Sequence, residues 1–380
     1  MRRWIGIVAF VASFILAAAS VFTLCTAPTS LMWIAAILIT EWGHYAAIAA
    51  LILAALTFRR GRLGAATAAF ALVAAILCIT PAFRAAQMAR ELPDRCSAAF
   101  GASPTDATPF SFARLFRLVP RPDIDVREHV YAREKETSLK LDLYQKRGVT
   151  QPQPIVIMVH PGSWKGGKKS QLPGANFHLA QQGYAVAAIN YRHAPTFQSP
   201  VQVEDVFRAL DYLKSRANEL HLDPSRIAFI GRSAGGQIAL SAGYSGREPN
   251  LRGVVALYAP SDVVLGYEEP SEPLVLDSRK VLRDYLGGSP QENPQGYAAA
   301  SAINFVSAAP PTLLIHGALD PIVRPNQSRL LAAKLREINR PNLLVDLPWA
   351  THGCDANPSG PSGQLSLYAI DRMLAAVFAK

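Results

Sequence analysis

Three apolar stretches open the chain, and from about residue 126 shorter apolar runs alternate with polar, helix-patterned segments. Residues 4–24 (WIGIVAFVASFILAAASVFTL) and 63–83 (LGAATAAFALVAAILCITPAF) carry no charge, and residues 31–58 hold Glu41 as their one acid. None has the polar stripe of a helix on a soluble core, and each reaches the roughly 20 residues that cross a bilayer. The pattern predicts three transmembrane helices, the second interrupted by Glu41, Gly43 and His44. A span over 42–58 would leave Glu41 and His44 at the outer interface.

The later runs LKLDLY (139–144), IVIMV (155–159), AVAAIN (185–190), IAFI (227–230), GVVALY (253–258), TLLIH (312–316) and LLVDL (343–347) read as strands. Residues 201–220, 237–243, 326–338 and 365–379 read as helices. This alternation predicts an α/β domain over 126–380, a mostly parallel sheet with helices on both faces. Residues 84–125 form a junction in which PFSFARLFRLV (109–119) reads as an amphipathic helix, lying on the membrane or on the next domain. Residues 261–305 fall between strands and read as part of a lid over the site.

Charge orients the chain. Arg2 and Arg3 precede the first span, Arg59, Arg60 and Arg62 lie between the second and third, and CTAPTS (25–30) is uncharged. Basic flanks stay cytoplasmic, so the N-terminus is expected inside and the α/β domain outside, periplasmic in a bacterium. A signal peptide ending near Ala17-Ala18-Ala19 gives the same placement for the domain. Of the net charge of +10, residues 1–83 hold five Arg and one Glu, and the remainder has 33 basic and 27 acidic residues. No basic block is interleaved with aromatics, which argues against nucleic acid as a partner; membrane lipid fits the mild excess. Cys25 borders the first span and Cys78 lies in the third. Cys96 and Cys354 lie outside, and the sequence leaves open whether they form a disulfide. No Cys/His spacing suggests a metal site.

The chemistry enters with IAFIGRSAGGQIAL (227–240). Gly231, Ser233 and Gly235 make a G-x-S-x-G spacing between a strand and a helix. This is the sharp turn that exposes a serine hydroxyl and aims a helix N-terminus at it. Parallel sheets place their sites beyond the carboxyl ends of strands. Asp320 follows the strand TLLIH and His352 follows LLVDL, in the chain order Ser, Asp, His that such a sheet uses. Imidazole takes the serine proton, and the carboxylate orients the imidazole. HPGSWKGG (160–167) follows IVIMV and offers the N–H groups of Gly162 and Ser163, joined by that of Ala234, to an oxyanion; Pro161 has none to offer. His160 reads as a residue that orders this loop. Tyr267, Tyr285 and Tyr297 read as core or pocket residues.

LKLDLY, HPGSW, GYAVAAINYRHAP, LDPSRIAFIGRSAGG, YAAASAINFVSAAPPTLLIHGALDPIV and THG together resemble the carboxylesterases of the α/β-hydrolase fold. The likeness is strongest to the BD-FAE-like esterase/lipase branch, with kinship to the hormone-sensitive-lipase group. The resemblance implies Ser233 as nucleophile, Asp320 as acid, His352 as base, an oxyanion hole of Gly162, Ser163 and Ala234, and no cofactor. Pro161 and Ser163 depart from the family's glycines, and Arg232 stands where that position is often acidic or small, which suggests a more positive field at the serine. The expected function is a membrane-anchored, extracytoplasmic ester hydrolase acting on a small-molecule or acylated-polysaccharide ester. An amidase or peptidase would use the same triad, and a non-catalytic membrane scaffold would not require its parts.

Overall fold

The computed structural model describes residues 2–59, 61–102, 107–117, 123–134 and 138–379, with the side chains of Arg2 and Arg3 excepted. Helices α1 (Arg2–Ser20), α2 (Ser30–Thr57) and α3 (Gly61–Met88) are each long and apolar enough to cross a membrane. They pack through small residues, among them Ala47, Ala50 and Ala54 against Ala68, Ala71 and Ala75. Without a hydrophobic drive between helices in lipid, such residues let backbones approach closely. Phe10 and Phe14 of α1 meet Phe70 of α3 edge-on, at 5.7 and 5.3 Å. Gly43 faces the backbone carbonyl of Cys78, where any Cβ would collide.

α3 runs past the expected end at residue 83, through Pro81, to Met88, and α4 (Leu92–Phe100) follows. The predicted amphipathic helix over 109–119 is instead a 3₁₀ turn at Phe112–Phe116; residues 118–119, like Arg60, lie outside the described residues. Phe112 meets Phe83, and Phe116 meets Tyr45 and His44, so this turn rests on α2 and α3.

The α/β domain holds strands β1 (Ile124–Arg133), β2 (Ser138–Lys146), β3 (Gln153–Val159), β4 (Ala185–Ile189), β5 (Leu222–Arg232), β6 (Leu251–Leu257), β7 (Thr312–Gly317) and β8 (Asn342–Leu347) in the order β1-β2-β4-β3-β5-β6-β7-β8. The β1–β2 and β2–β4 pairs are antiparallel and all others parallel. β3 is buried along its whole length, as a central parallel strand covered on both faces requires. Helices α5 (Gly174–Gln181), α6 (Val201–Ser215), α7 (Ala234–Tyr244), α11 (Asn326–Glu337) and α12 (Pro361–Phe378) cover the sheet. Helices α8 (Val263–Glu268), α9 (Ser278–Leu286) and α10 (Pro294–Ala300) occupy the segment read as a lid; Asp262, Asp277 and Asn293 cap them.

Glu41 and His44 are both buried. Glu41 is 0% exposed: its carboxylate accepts from Ser362 N at 3.2 Å, and its carbonyl oxygen accepts from Asn357 Nδ2 at 3.0 Å. α2 is about 42 Å long at 1.5 Å per residue, against a hydrocarbon core of about 30 Å. It is longer than such a core, and its N-terminal part packs on the α/β domain. Cys96 and Cys354 are both buried and free, and burial pushes the Cys96 thiol up to about 11.

Replacing Gly43 with Val is expected to force α2 and α3 apart, costing about 1–3 kcal/mol. A lowered thermal midpoint of the detergent-solubilised chain checks this; an unchanged midpoint refutes the close approach.

Candidate active site

β5 ends at Arg232 and α7 starts at Ala234, so Ser233 turns the chain in one residue. Its φ of 52° and ψ of −124° lie outside the ordinary regions for an L-residue. The turn is tight because a Cβ at Gly231 would strike the Gly235 carbonyl oxygen, and one at Gly235 would strike the carbonyls of Val159 and His160. Ser233 N donates to Leu257 O at 2.9 Å, and Gly236 N donates to Ser233 O at 2.8 Å.

Three residues far apart in the chain meet here. His352 Nε2 lies 2.9 Å from Ser233 Oγ, and His352 Nδ1 lies 2.7 Å from Asp320 Oδ2. All three are buried. Asp320 Oδ1 accepts from the N–H groups of Ile322 (2.8 Å) and Val323 (2.9 Å), and His316 Nε2 stands 3.3 Å from Oδ2. Burial would raise the Asp320 carboxyl, but the imidazoles of His352 and His316 outweigh it and hold it below the usual carboxylate range. The ionised carboxylate accepts from Nδ1–H, leaving Nε2 free to receive the Ser233 proton.

The loop after β3 brings Ser163, with φ 53°, and Trp164, with φ 57°, beside Ser233 and Ala234 on the wall of one cleft. Among the described residues, the N–H groups of Gly162, Ser163 and Ala234 are not spent on another backbone carbonyl. His160 stacks on Tyr191 at 4.3 Å, and its Nδ1–H donates to the Pro161 carbonyl at 2.8 Å. Burial lowers it to about 4, so it is neutral at pH 7 and orders the loop. Lys165 pairs with Asp284, and Lys169 pairs with Asp142 and Glu128.

Several residues at the site were not singled out by the sequence. Gln237 Oε1 accepts from Trp164 Nε1 (2.9 Å) and from Tyr285 Oη (3.1 Å), tying the loop of Ser163 to α7 and α9. Tyr285 stacks on Trp164 at 4.4 Å, and Tyr297 is buried with Tyr267 edge-on to it; none of these tyrosines lines the cleft. Trp33 of α2 donates Nε1–H to the His352 carbonyl at 3.0 Å. Arg232 corrects the expectation of a more positive field: its guanidinium is buried on the Asp355 carboxylate, which also accepts from Tyr258 Oη at 2.6 Å.

The sheet order, the serine turn and the strand-end residues define an α/β-hydrolase fold. Within that class the chain belongs to the BD-FAE family, whose model matches residues 141–335. It is 29% identical over 256 residues to the probable carboxylic ester hydrolase LipM of Mycobacterium tuberculosis, covering 63% of this chain and 58% of that one. It is also 29% identical over 236 residues to the esterase LipC of the same organism, covering 57% of each. The chain thus spans just over half the length of these curated relatives. A fungal esterase from Rhizomucor miehei superposes with a TM-score of 0.60 at 19% identity, over 69% of this chain and 86% of that one, a likeness of fold.

Two outcomes test the site's electrostatics. Arg232→Met leaves Asp355 as an unpaired buried charge and is expected to cost about 3–5 kcal/mol, with Arg232→Met/Asp355→Asn recovering most of it; thermal melts of both variants check the pairing. The unfolded chain protonates His160 near its ordinary value of 6.5, the folded chain only near about 4. The contribution of His160 to stability therefore falls as pH drops from 6.5 through 4, by roughly 3 kcal/mol. His160→Asn should flatten that part of the profile, and an unaltered slope would refute the assignment.

Proposed function

We propose that the chain is a membrane-anchored serine hydrolase that cleaves carboxylic esters. The observation that carries this reading is the unbroken Ser233–His352–Asp320 relay, at 2.9 and 2.7 Å, opening on a cleft. Family membership and the ester hydrolase names of the relatives support it.

In this mechanism His352 Nε2 takes the Ser233 proton as Oγ bonds to the ester carbonyl carbon. The carbonyl π pair moves onto oxygen, where the N–H groups of Gly162, Ser163 and Ala234 meet the charge. The pair returns, the carbon–alkoxy bond breaks, and the imidazolium gives its proton to the departing alcohol. Water then enters with His352 as base, and the acyl–Ser233 bond breaks to release the acid and restore the hydroxyl. Asp320 remains ionised and stabilises the imidazolium. No bound group beyond substrate and water is needed for these steps.

The three apolar helices and their flanking arginines support an anchor with the N-terminus in the cytoplasm and the α/β domain outside it. The decisive experiment labels the full chain with a fluorophosphonate and assays a panel of short-chain esters and anilides. Labelling lost in Ser233→Ala is expected, with ester turnover down roughly 10⁴–10⁶-fold. Undiminished labelling in that variant would remove the reading, and preferential cleavage of anilides would reassign it to amides.

A further inference from the structure

The segment that walls the cleft on one side is attached to a membrane helix. Ser271 and Leu276 line the cleft, and the tip between them is bonded to the start of α2. Ser30 N donates to Leu274 O at 3.2 Å, and Ser30 Oγ reaches the carbonyls of Leu274 (3.1 Å) and Val275 (3.2 Å). Thr29 and Leu274 pair as a parallel bridge.

The outer surface at this junction is apolar. Leu274 is 72% exposed and Leu31 78%. Leu31, Ile34, Leu38 and Tyr45, all exposed, recur at helical spacing on one side of α2. By helical spacing Trp33 lies about 100° round α2 from Ile34, whereas Glu41 borders the stripe between Ile34 and Tyr45 and is covered at the start of α12. The exposed stripe therefore runs from Leu38 to the 272–276 segment at the wall of the cleft, with Tyr45 beyond the point where Glu41 is covered. A stripe with no membrane role would be an aggregation liability on this segment.

The cleft supplies the rest. Val263, Leu276, Val281, Leu282 and Ile322 line it, suiting an acyl chain. Its cation, Arg324, is paired with Glu272 at 3.1 Å and donates to Pro270 O, so among the described lining residues no unpaired cation awaits a phosphate.

Resting on the hydrolase reading above, we propose that the site takes its substrate from the bilayer. The substrate is an uncharged long-chain acyl ester dissolved in the outer leaflet, which reaches Ser233 along the Leu38–Ile34–Leu31 stripe and past Leu274. Bond making and breaking are those already described, with acyl transfer to Ser233 Oγ and then to water.

The test uses the full chain in phosphatidylcholine vesicles containing dioleoylglycerol, with p-nitrophenyl butyrate assayed in parallel. Hydrolysis of dioleoylglycerol lost in Ser233→Ala is expected, its rate following surface mole fraction rather than bulk concentration. In Leu31→Asp/Leu274→Asp, the ratio of dioleoylglycerol to p-nitrophenyl butyrate turnover should fall by about tenfold or more, because charges on an apolar path oppose lipid. Ile34→Glu, one turn along α2 from Ser30 and with its side chain outside the Ser30–Leu274 bonds, should lower the ratio in the same direction should the double variant fail to fold. Ser233-dependent cleavage of p-nitrophenyl butyrate with none of vesicle-borne dioleoylglycerol would overturn this inference and leave the hydrolase reading standing. An unchanged ratio in the folded variants would overturn the path. Cleavage of neither substrate would overturn both readings.

Discussion

The backbone at Ser233 is the constraint on which the site's assembly depends. A non-glycine residue held at positive φ costs about 1–3 kcal/mol, which persists only where the surroundings leave no alternative. Here β5 is pinned between β3 and β6, and Ser233 N is held by Leu257 O at the end of β6. The same tightness brings Gly235 under the carbonyls of Val159 and His160. One close approach therefore fixes both the serine and the loop that carries Gly162 and Ser163. A side chain at 231 or 235 would part the proposed nucleophile from the proposed oxyanion donors, not merely loosen a turn.

The legible part of this arrangement was the part written in local chemistry. Ser233 lies in a glycine-bracketed strand-to-helix turn, Asp320 follows a fully buried strand, and His352 follows the edge strand β8, whose burial alternates. Their meeting then follows from strand order rather than from any spacing between them. β1 was not legible because IDVREHVYAR is a charged edge strand, with a register shift between Val130 and Ala132 that breaks its alternation. The Arg232–Asp355 pair was illegible for another reason: partners so distant in the chain leave no local pattern. The three short helices of 263–300 could have been found from their caps, since Asp262, Asp277 and Asn293 each precede a helix start.

The membrane region was legible in kind but not in its relation to the domain. Composition identified three apolar helices, and it suggested that Glu41 and His44 stood at the outer interface because an isolated span would put them there. The partner that buries Glu41 lies far along the chain and leaves no local pattern. The Glu41 carboxylate answers the N–H of Ser362 at the start of α12, where helix donors have no partners of their own. α1 is tied in through Phe10 and Phe14 on Phe70, which makes it a member of the helical unit.

These contacts bear on what an anchor is for. A tether needs one point of attachment and leaves the domain free to turn. α2 is bonded to the α/β domain at Ser30, Trp33 and Glu41, residues spread over about 16 Å of helix. Attachments at that separation fix the helix's direction as well as its position. Each reaches a part of the domain near the cleft or its base: the 272–276 segment, the carbonyl of His352, and the N-terminus of α12. The orientation of α2 relative to the site is thus set by the same bonds that hold the His352 loop, and a change in one cannot leave the other untouched.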